Sequence, residues 1–276
     1  MKGGDTGIHS NTKFALLKNS NLLPHPGKEK PHSTTFDNQL IELESVDSTN
    51  NYAMARIHEG MAFDGLVYLA HNQWAGKGQR GKIWLSEPGQ NLIMSLVIEP
   101  GTLILSQQFL FSASVALGIL DLIQTIVRDN WSIKWPNDIY WNDRKSAGIL
   151  IESVIQGQNW LFAVAGIGMN LNQETFPAEI SNAVSLKQIT GKNYEPVSIA
   201  RELVPAIQSR IALLRKEPDQ ILNALNQSLY KRNQPVSLKK GNEIITTQLN
   251  AVNAMGQLIT NDGSFILGET EFLVDG

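Results

Sequence analysis

Residues 106 to 127 carry the longest helical pattern in this chain, and it has almost no polar face. Ala113, Val115, Ala116, Leu117, Ile119, Leu120 and Ile123 cover most of its surface. A helix that is apolar nearly all round must lie buried, and runs of strand length stand on both sides of it. Residues 65–73 alternate as a strand does, and 91–98, 131–135, 147–155 and 160–166 are further strand candidates. Tight connections with Pro136-Asn137-Asp138, Asn142-Asp143 and Gly157 join the last three. Helical periodicity returns over 197–214 and 219–230. The pattern predicts an α+β fold, a mixed β-sheet packed with helices.

The ends of the chain read differently. Residues 1–36 are rich in Asn, Ser, Lys, His, Gly and Pro, and are expected to form a mobile segment. From residue 232 short β-rich pieces (236–239, 244–252, 257–259, 265–267 and 271–274) are punctuated by Gly241, Gly256, Gly263 and Gly268. Such spacing suggests a small β-barrel. The expected layout is a mobile segment over 1–36, a main domain over 37–231 and a small β domain over 232–276.

Composition narrows the classes. With 276 residues, 42% of them hydrophobic, the chain can bury a full core. A net charge of −3 gives no basic face for nucleic acid. The absence of cysteine removes disulfides, thiolate metal sites and a thiol nucleophile. No apolar run approaches the roughly 20 residues that span a bilayer, and the N-terminus lacks a signal-peptide core. A soluble cytoplasmic protein is expected.

Five polar clusters interrupt the apolar elements. Trp-Ala-Gly-Lys-Gly-Gln-Arg-Gly-Lys-Ile-Trp, residues 74–84, alternates Gly76, Gly78 and Gly81 with Lys77, Arg80 and Lys82. Bare backbone N–H groups beside cations suit an anion, although a hairpin tip has the same composition. Asp47-Ser48-Thr49-Asn50 fits a helix N-cap, or a polar ligand at the positive end of that helix. In Lys134-Trp135-Pro136-Asn137-Asp138, proline must break the strand. Asn137 and Asp138 then form a turn, or Asp138 offers a carboxylate to a metal or ligand N–H with Lys134 near phosphate. Lys145, before Ala147-Gly148-Ile149-Leu150, is a solvated charge or a cation aimed at a reacting carboxylate and phosphate. Gly166-Ile167-Gly168-Met169-Asn170 is a strand-end bulge, or a close backbone approach to a flat ligand.

In this order the segments closely resemble the biotin protein ligase family, in its form without an N-terminal DNA-binding domain. The Lys-Trp-Pro-Asn-Asp and Arg-Lys-Ser-Ala-Gly-Ile-Leu strings are the specific parts, and the likeness runs from about residue 40 to the end. The resemblance implies a catalytic domain with a small C-terminal SH3-like β-barrel. It implies that biotin and ATP give biotinyl-5′-adenylate and pyrophosphate, with Mg²⁺, and that biotin then passes to a lysine of a biotin carboxyl carrier protein. That carrier is expected to belong to acetyl-CoA carboxylase, with no nucleic acid or membrane partner and with a homodimer among the assemblies open to it.

By the same resemblance Lys145, Arg80 and Asp138 are the catalytic candidates. Ser48, Thr49, Asn50, Gln73, Gly76, Lys77, Gly78, Arg80, Trp84, Lys145 and Gly148 would bind biotin. Lys77, Gly78, Gln79, Arg80, Gly81, Trp84, Lys134, Asn137, Asp138, Gly168 and Asn170 would face the nucleotide, with Asp138 the metal candidate. Residues 74–84 would order over the ligand as a lid against hydrolysis. The chain departs from the family at Lys77 and Gln79, where arginines are usual. Two alternatives remain: a lipoate–protein ligase of the same catalytic fold, and a non-catalytic biotin- or nucleotide-binding module. Residues 1–36 are too short and too broken by Pro24, Pro26 and Pro31 for a helix-turn-helix.

Overall fold

A computed structural model describes residues 36–273. The expected mobile segment lies outside the described residues except for Phe36. The chain enters through a short helix α1 (Phe36–Gln39) and runs into strand β1 (Leu40–Leu43), helix α2 (Thr49–His58), β2 (Val67–Ala70) and β3 (Leu92–Ile98). The apolar helix follows as α3 (Gln108–Ile126), then β4 (Trp131–Lys134), β5 (Asp138–Trp141), β6 (Arg144–Gln156) and β7 (Asn159–Met169). Three helices come next, α4 (Leu186–Thr190), α5 (Pro196–Lys216) and α6 (Pro218–Gln227). Five short strands close the chain: β8 (Pro235–Lys240), β9 (Glu243–Val252), β10 (Leu258–Thr260), β11 (Gly263–Phe265) and β12 (Thr270–Leu273).

The first seven strands form one mixed sheet in the order β1-β2-β3-β7-β6-β5-β4. Only the β1–β2 pair is parallel. Successive side chains of a strand face opposite ways, and both faces here are covered. Leu69, Met94, Leu96, Ala165 and Ile167 join α3 and α5 in the larger core, whereas Tyr68, Ile93, Val97 and Val164 pack under α2. That double burial explains why β3 reads as an apolar run broken at Ser95 alone.

Helix α3, with the 3₁₀ turn before it, is apolar and long enough to cross a membrane by composition, but two thirds of it is buried in the fold. Its Gly118 lets α5 approach closely: a Cβ there would stand 2.7 Å from the Ile207 Cα. The last five strands form an antiparallel sheet in the order β11-β10-β9-β8-β12.

Candidate active site

The site lies on the α2 face of the large sheet. Ser95 of β3 shares that face with Ile93 and Val97, and Gly166 and Gly168 of β7 share it with Val164. The register pairs Gly168 with Gly148 and Gly166 with Leu150 on β6, and Gly148 with Asp138 on β5. A cavity of about 310 Å³ opens above them. Small residues along the central strands leave this space; the loop 74–84, α2, the β4–β5 turn and β12 wall it in.

At one end the start of α2 is held by side chains instead of a conventional cap. Ser48 occupies the N-cap position but makes no side-chain capping bond. The Thr49 N–H donates to the Gln73 Oε1 at 2.9 Å. The Ser95 hydroxyl lies 2.8 Å from Thr49 Oγ1 and 2.6 Å from Asn50 Oδ1. Asn50 Nδ2 donates to Glu152 Oε2 at 2.7 Å, and the other oxygen of Glu152 meets Lys77 Nζ at 3.4 Å. Ser48, Thr49 and Asn50 are all buried and line the cavity.

The loop is a small hairpin. Gly78 N–H donates to Lys82 O, Trp84 N–H donates to Gly76 O, and Lys77 bridges to Ile83. Of its glycines only Gly81 takes the left-handed region (φ 74), and Arg80 beside it does the same (φ 56). The two tryptophans part company: Trp74 is 70% exposed, whereas the Trp84 indole lies on the cavity floor. A Cβ at Gly168 would stand 2.3 Å from Trp84 Cε2, and one at Gly148 would stand 3.1 Å from Cζ3. Trp84 Nε1 is buried without a hydrogen-bond partner among the described residues.

At the other end the cations gather. Lys145 Nζ pairs with Asp138 Oδ1 at 2.7 Å and stands 5.6 Å over the Trp84 ring. Lys134 is buried, donates to Phe272 O at 3.1 Å, and faces the rings of Phe272 and Tyr140. Burial lowers its pKa to about 8, with the Asp138 carboxylate pulling the other way. Five cations, Lys77, Arg80, Lys82, Lys134 and Lys145, line one cavity against the two carboxylates Asp138 and Glu271, and can oppose a strongly anionic ligand.

Ser48, Thr49, Asn50, Gln73, Lys77, Gly78, Gln79, Arg80, Trp84, Lys134, Asn137, Asp138, Lys145, Gly148 and Gly168 all line this cavity. Gly76, Gly81 and Asn170 do not. Gly76 is needed for the hairpin, since a Cβ there would strike the Trp84 carbonyl at 2.4 Å. Gly81 serves the loop's turn. Asn170 is buried and spends its side-chain amide on the carbonyls of Lys145 and Val184, so it braces the strand that carries Lys145.

Two local expectations change. Asp138 opens β5 and pairs with Lys134 across a tight turn, while the Asn137 side chain donates to Ile149 O on β6. Residues 166–169 are not a strand-end bulge: β7 runs through them, and the missing Cβ atoms of Gly166 and Gly168 admit Asn50 and Trp84. Ser95, Glu152, Thr270, Glu271 and Phe272 were not singled out from sequence. Polar residues inside apolar runs, Ser95 alone in β3 and Glu152 with Ser153 in β6, were the signal for the first two.

The fit of Mg²⁺ can be judged from the donors. Among the described residues no group of three or more His, Cys, Asp or Glu side chains stands ready for a metal. Asp138 supplies one carboxylate, which suits an ion that takes one or two protein oxygens and completes its shell from substrate phosphates and water.

Comparison with known proteins gives this arrangement its context. Residues 42–170 match the biotin/lipoate A/B protein ligase family. The biotin–[acetyl-CoA-carboxylase] ligase of Paracoccus denitrificans is 33% identical over 169 residues, covering 59% of this chain and 69% of its own. The chain belongs to the biotin protein ligase family. Within that family, the bifunctional ligase/repressor BirA of Bacillus spizizenii is 29% identical over 204 residues, 70% of this chain and 62% of its own. The chain thus spans less than two thirds of that relative's length. Among solved family structures, the biotin protein ligase from Aquifex aeolicus in complex with biotin and ATP superposes with a TM-score of 0.73 at 26% identity, covering 86% of this chain and 99% of that one. The antiparallel C-terminal sheet falls within this family architecture.

Proposed function

We propose that this chain is an ATP-dependent biotin–protein ligase. The observation that carries the reading is the convergence of the glycine–cation loop, Lys134, Asp138 and Lys145 on one cavity, in a chain that resembles a ligase holding biotin and ATP. In the first step a biotin carboxylate oxygen attacks the α-phosphorus of ATP, a new P–O bond forms, and pyrophosphate leaves. Both partners are anions, so nearby cations must offset their repulsion. Lys145 would stand beside the carboxylate and α-phosphate, released from Asp138 as the ligand charge takes its place. Arg80, Lys77 and Lys134 would meet the phosphates. Ser48, Thr49, Asn50 and Gln73 provide hydroxyl and amide groups for the ureido ring, and Trp84 an apolar wall for the rest of biotin.

In the second step a carrier lysine amine attacks the acyl carbon, AMP leaves, and the ammonium so formed loses a proton. Asp138 is placed to take it. Mg²⁺, bound by Asp138 and phosphate oxygens, would neutralise charge on the leaving pyrophosphate. The acceptor is a biotin carboxyl carrier protein of an acetyl-CoA carboxylase, and a cytoplasmic site of action goes with it.

Biotin-dependent ATP–pyrophosphate exchange tests the reading. Exchange should require biotin and fall by more than about a hundredfold in Lys145→Ala. Exchange with lipoate alone would make the chain a lipoate ligase, and none with either would make it a binding module.

A homodimer belongs to the same proposal. Among the described residues β5 pairs with β6 only as far as Gly148, which leaves the outer edge of β6 open beyond Ile149, with Ile155 46% exposed. Open edges invite pairing with a second chain. Sedimentation showing a monomer at every concentration, with and without biotin and ATP, would remove the dimer.

A further inference from the structure

We infer that strand β12 of the C-terminal sheet holds the glycine loop in its working conformation, with Glu271 as a positioning residue; this rests on the cavity being the biotin and ATP site. Three consecutive residues of β12 each take one cation from that site. Arg80 Nη2 donates to Thr270 O at 2.8 Å, Lys82 Nζ meets Glu271 Oε1 at 2.8 Å, and Lys134 Nζ donates to Phe272 O at 3.1 Å. The fold explains the pattern. Among the described strands β12 is an edge strand that pairs with β8, with one further bridge from Thr270 to Leu267. Carbonyls two residues apart point to the same edge, so Thr270 and Phe272 present two acceptors on the side away from β8. Glu271, between them, adds a carboxylate held low by its bond to Lys82.

The loop needs such an anchor. Arg80 occupies the left-handed region that non-glycine residues avoid. Ile83 is 68% exposed, and Trp84 is the loop side chain that enters the cavity floor. Its internal bonds are those of a two-rung hairpin, and short hairpins are marginal alone. The restraint from β12 therefore sets how often the loop presents Arg80 and Lys77 to a ligand. If only a fraction of molecules hold that conformer, the apparent dissociation constant rises by the inverse of the fraction. Lys82 and Glu271 are exposed, and exposed pairs are individually weak and screened by salt. A graded effect is expected.

The experiment uses the full chain and the Glu271→Gln variant, each checked by thermal melting. Hydrogen exchange at the Gly78, Lys82 and Trp84 amides without ligand should quicken by about threefold in Glu271→Gln, the scale of an exposed ion pair. Raising salt from about 0.05 to about 0.5 M should quicken it in wild type and leave Glu271→Gln nearly unchanged. The swapped pair, Lys82→Glu with Glu271→Lys, should restore slow exchange. It is read by exchange alone, because a carboxylate at 82 would repel phosphate. In biotin-dependent pyrophosphate exchange, KM for ATP should rise by the same factor with kcat little changed. Unaltered amide exchange in Glu271→Gln, or failure of the swap to restore it, overturns the inference. Quickened loop exchange in Glu271→Gln, restored by the swap, in a chain that never activates biotin would leave the coupling standing and remove the ligase reading instead.

Discussion

Lys134 shows how one residue ties burial to activity. It is 8% exposed, and loss of water lowers its pKa from 10.5 to about 8. Below pH 8 the folded chain holds the charged form at a penalty. Between about pH 8 and 10.5 the folded chain sheds a proton that the unfolded chain keeps, so this group's contribution to stability rises across that window. Anion binding runs the other way, because the neutral amine no longer attracts phosphate. KM for ATP should therefore climb severalfold from about pH 7.5 to 9.5, and Lys134→Arg should flatten that rise because a guanidinium stays charged. A profile identical in both proteins would remove Lys134 from the phosphate site. Gln79 lines the same cavity without a charge. Gln79→Arg should slow release of biotinyl-adenylate, measured by chasing pre-formed adenylate from the enzyme; equal rates would mean that this position does not hold the intermediate.

At the scale of elements, legibility followed the strength of the periodic signal. α3, α5, α6, β3 and the five C-terminal strands stand close to where apolar spacing puts them, because in each a regular run of apolar side chains is buried by the elements packed against it. β1, β5 and α4 were missed, and each is only four or five residues long. β5 was hidden because Asp138 reads as a turn residue, and only pairing with β4 and β6 makes it a strand. α4 did carry a sign, the Ser185 and Gln188 capping box. The glycines of β7 were legible as a close approach, but what approaches is Asn50 and Trp84, which no local pattern could reveal. Gly118 follows the same logic in a helix. Its absent Cβ seats α3 on the α5 backbone at Ile207. Gly118→Ala gains helix propensity but must push two helices apart, and overpacking outweighs the roughly 1 kcal/mol gained. A net loss of about 1–2 kcal/mol in urea denaturation is expected; an unchanged or higher midpoint would show that the helix pair can shift freely.

For the whole molecule the question is whether the two sheets fold as one. A single apolar cluster runs from Val67 and Leu96 through α3 and α5 to Val236, Leu249 and Phe272. Polar ties follow the same route. Trp135 Nε1 donates to Gly256 O at 2.9 Å, and the Asn226 amide on α6 bonds both the N–H and the carbonyl of Val252. Gly256 has no room for a Cβ because Phe109 would lie 2.5 Å from it. An independent module would have its own sealed core and a wet, polar boundary. Here the boundary is apolar and buried, and the site's cations bridge it to β12. Unfolding should therefore be one cooperative transition. Tryptophan fluorescence, which reports the large sheet through Trp131, Trp141 and Trp160, should share its denaturant midpoint with hydrogen exchange of the β8 and β9 amides. A lower midpoint for the β8 and β9 amides would mean that the C-terminal sheet unfolds first, and the loop would then lose its anchor at a denaturant concentration well below that at which the large sheet unfolds.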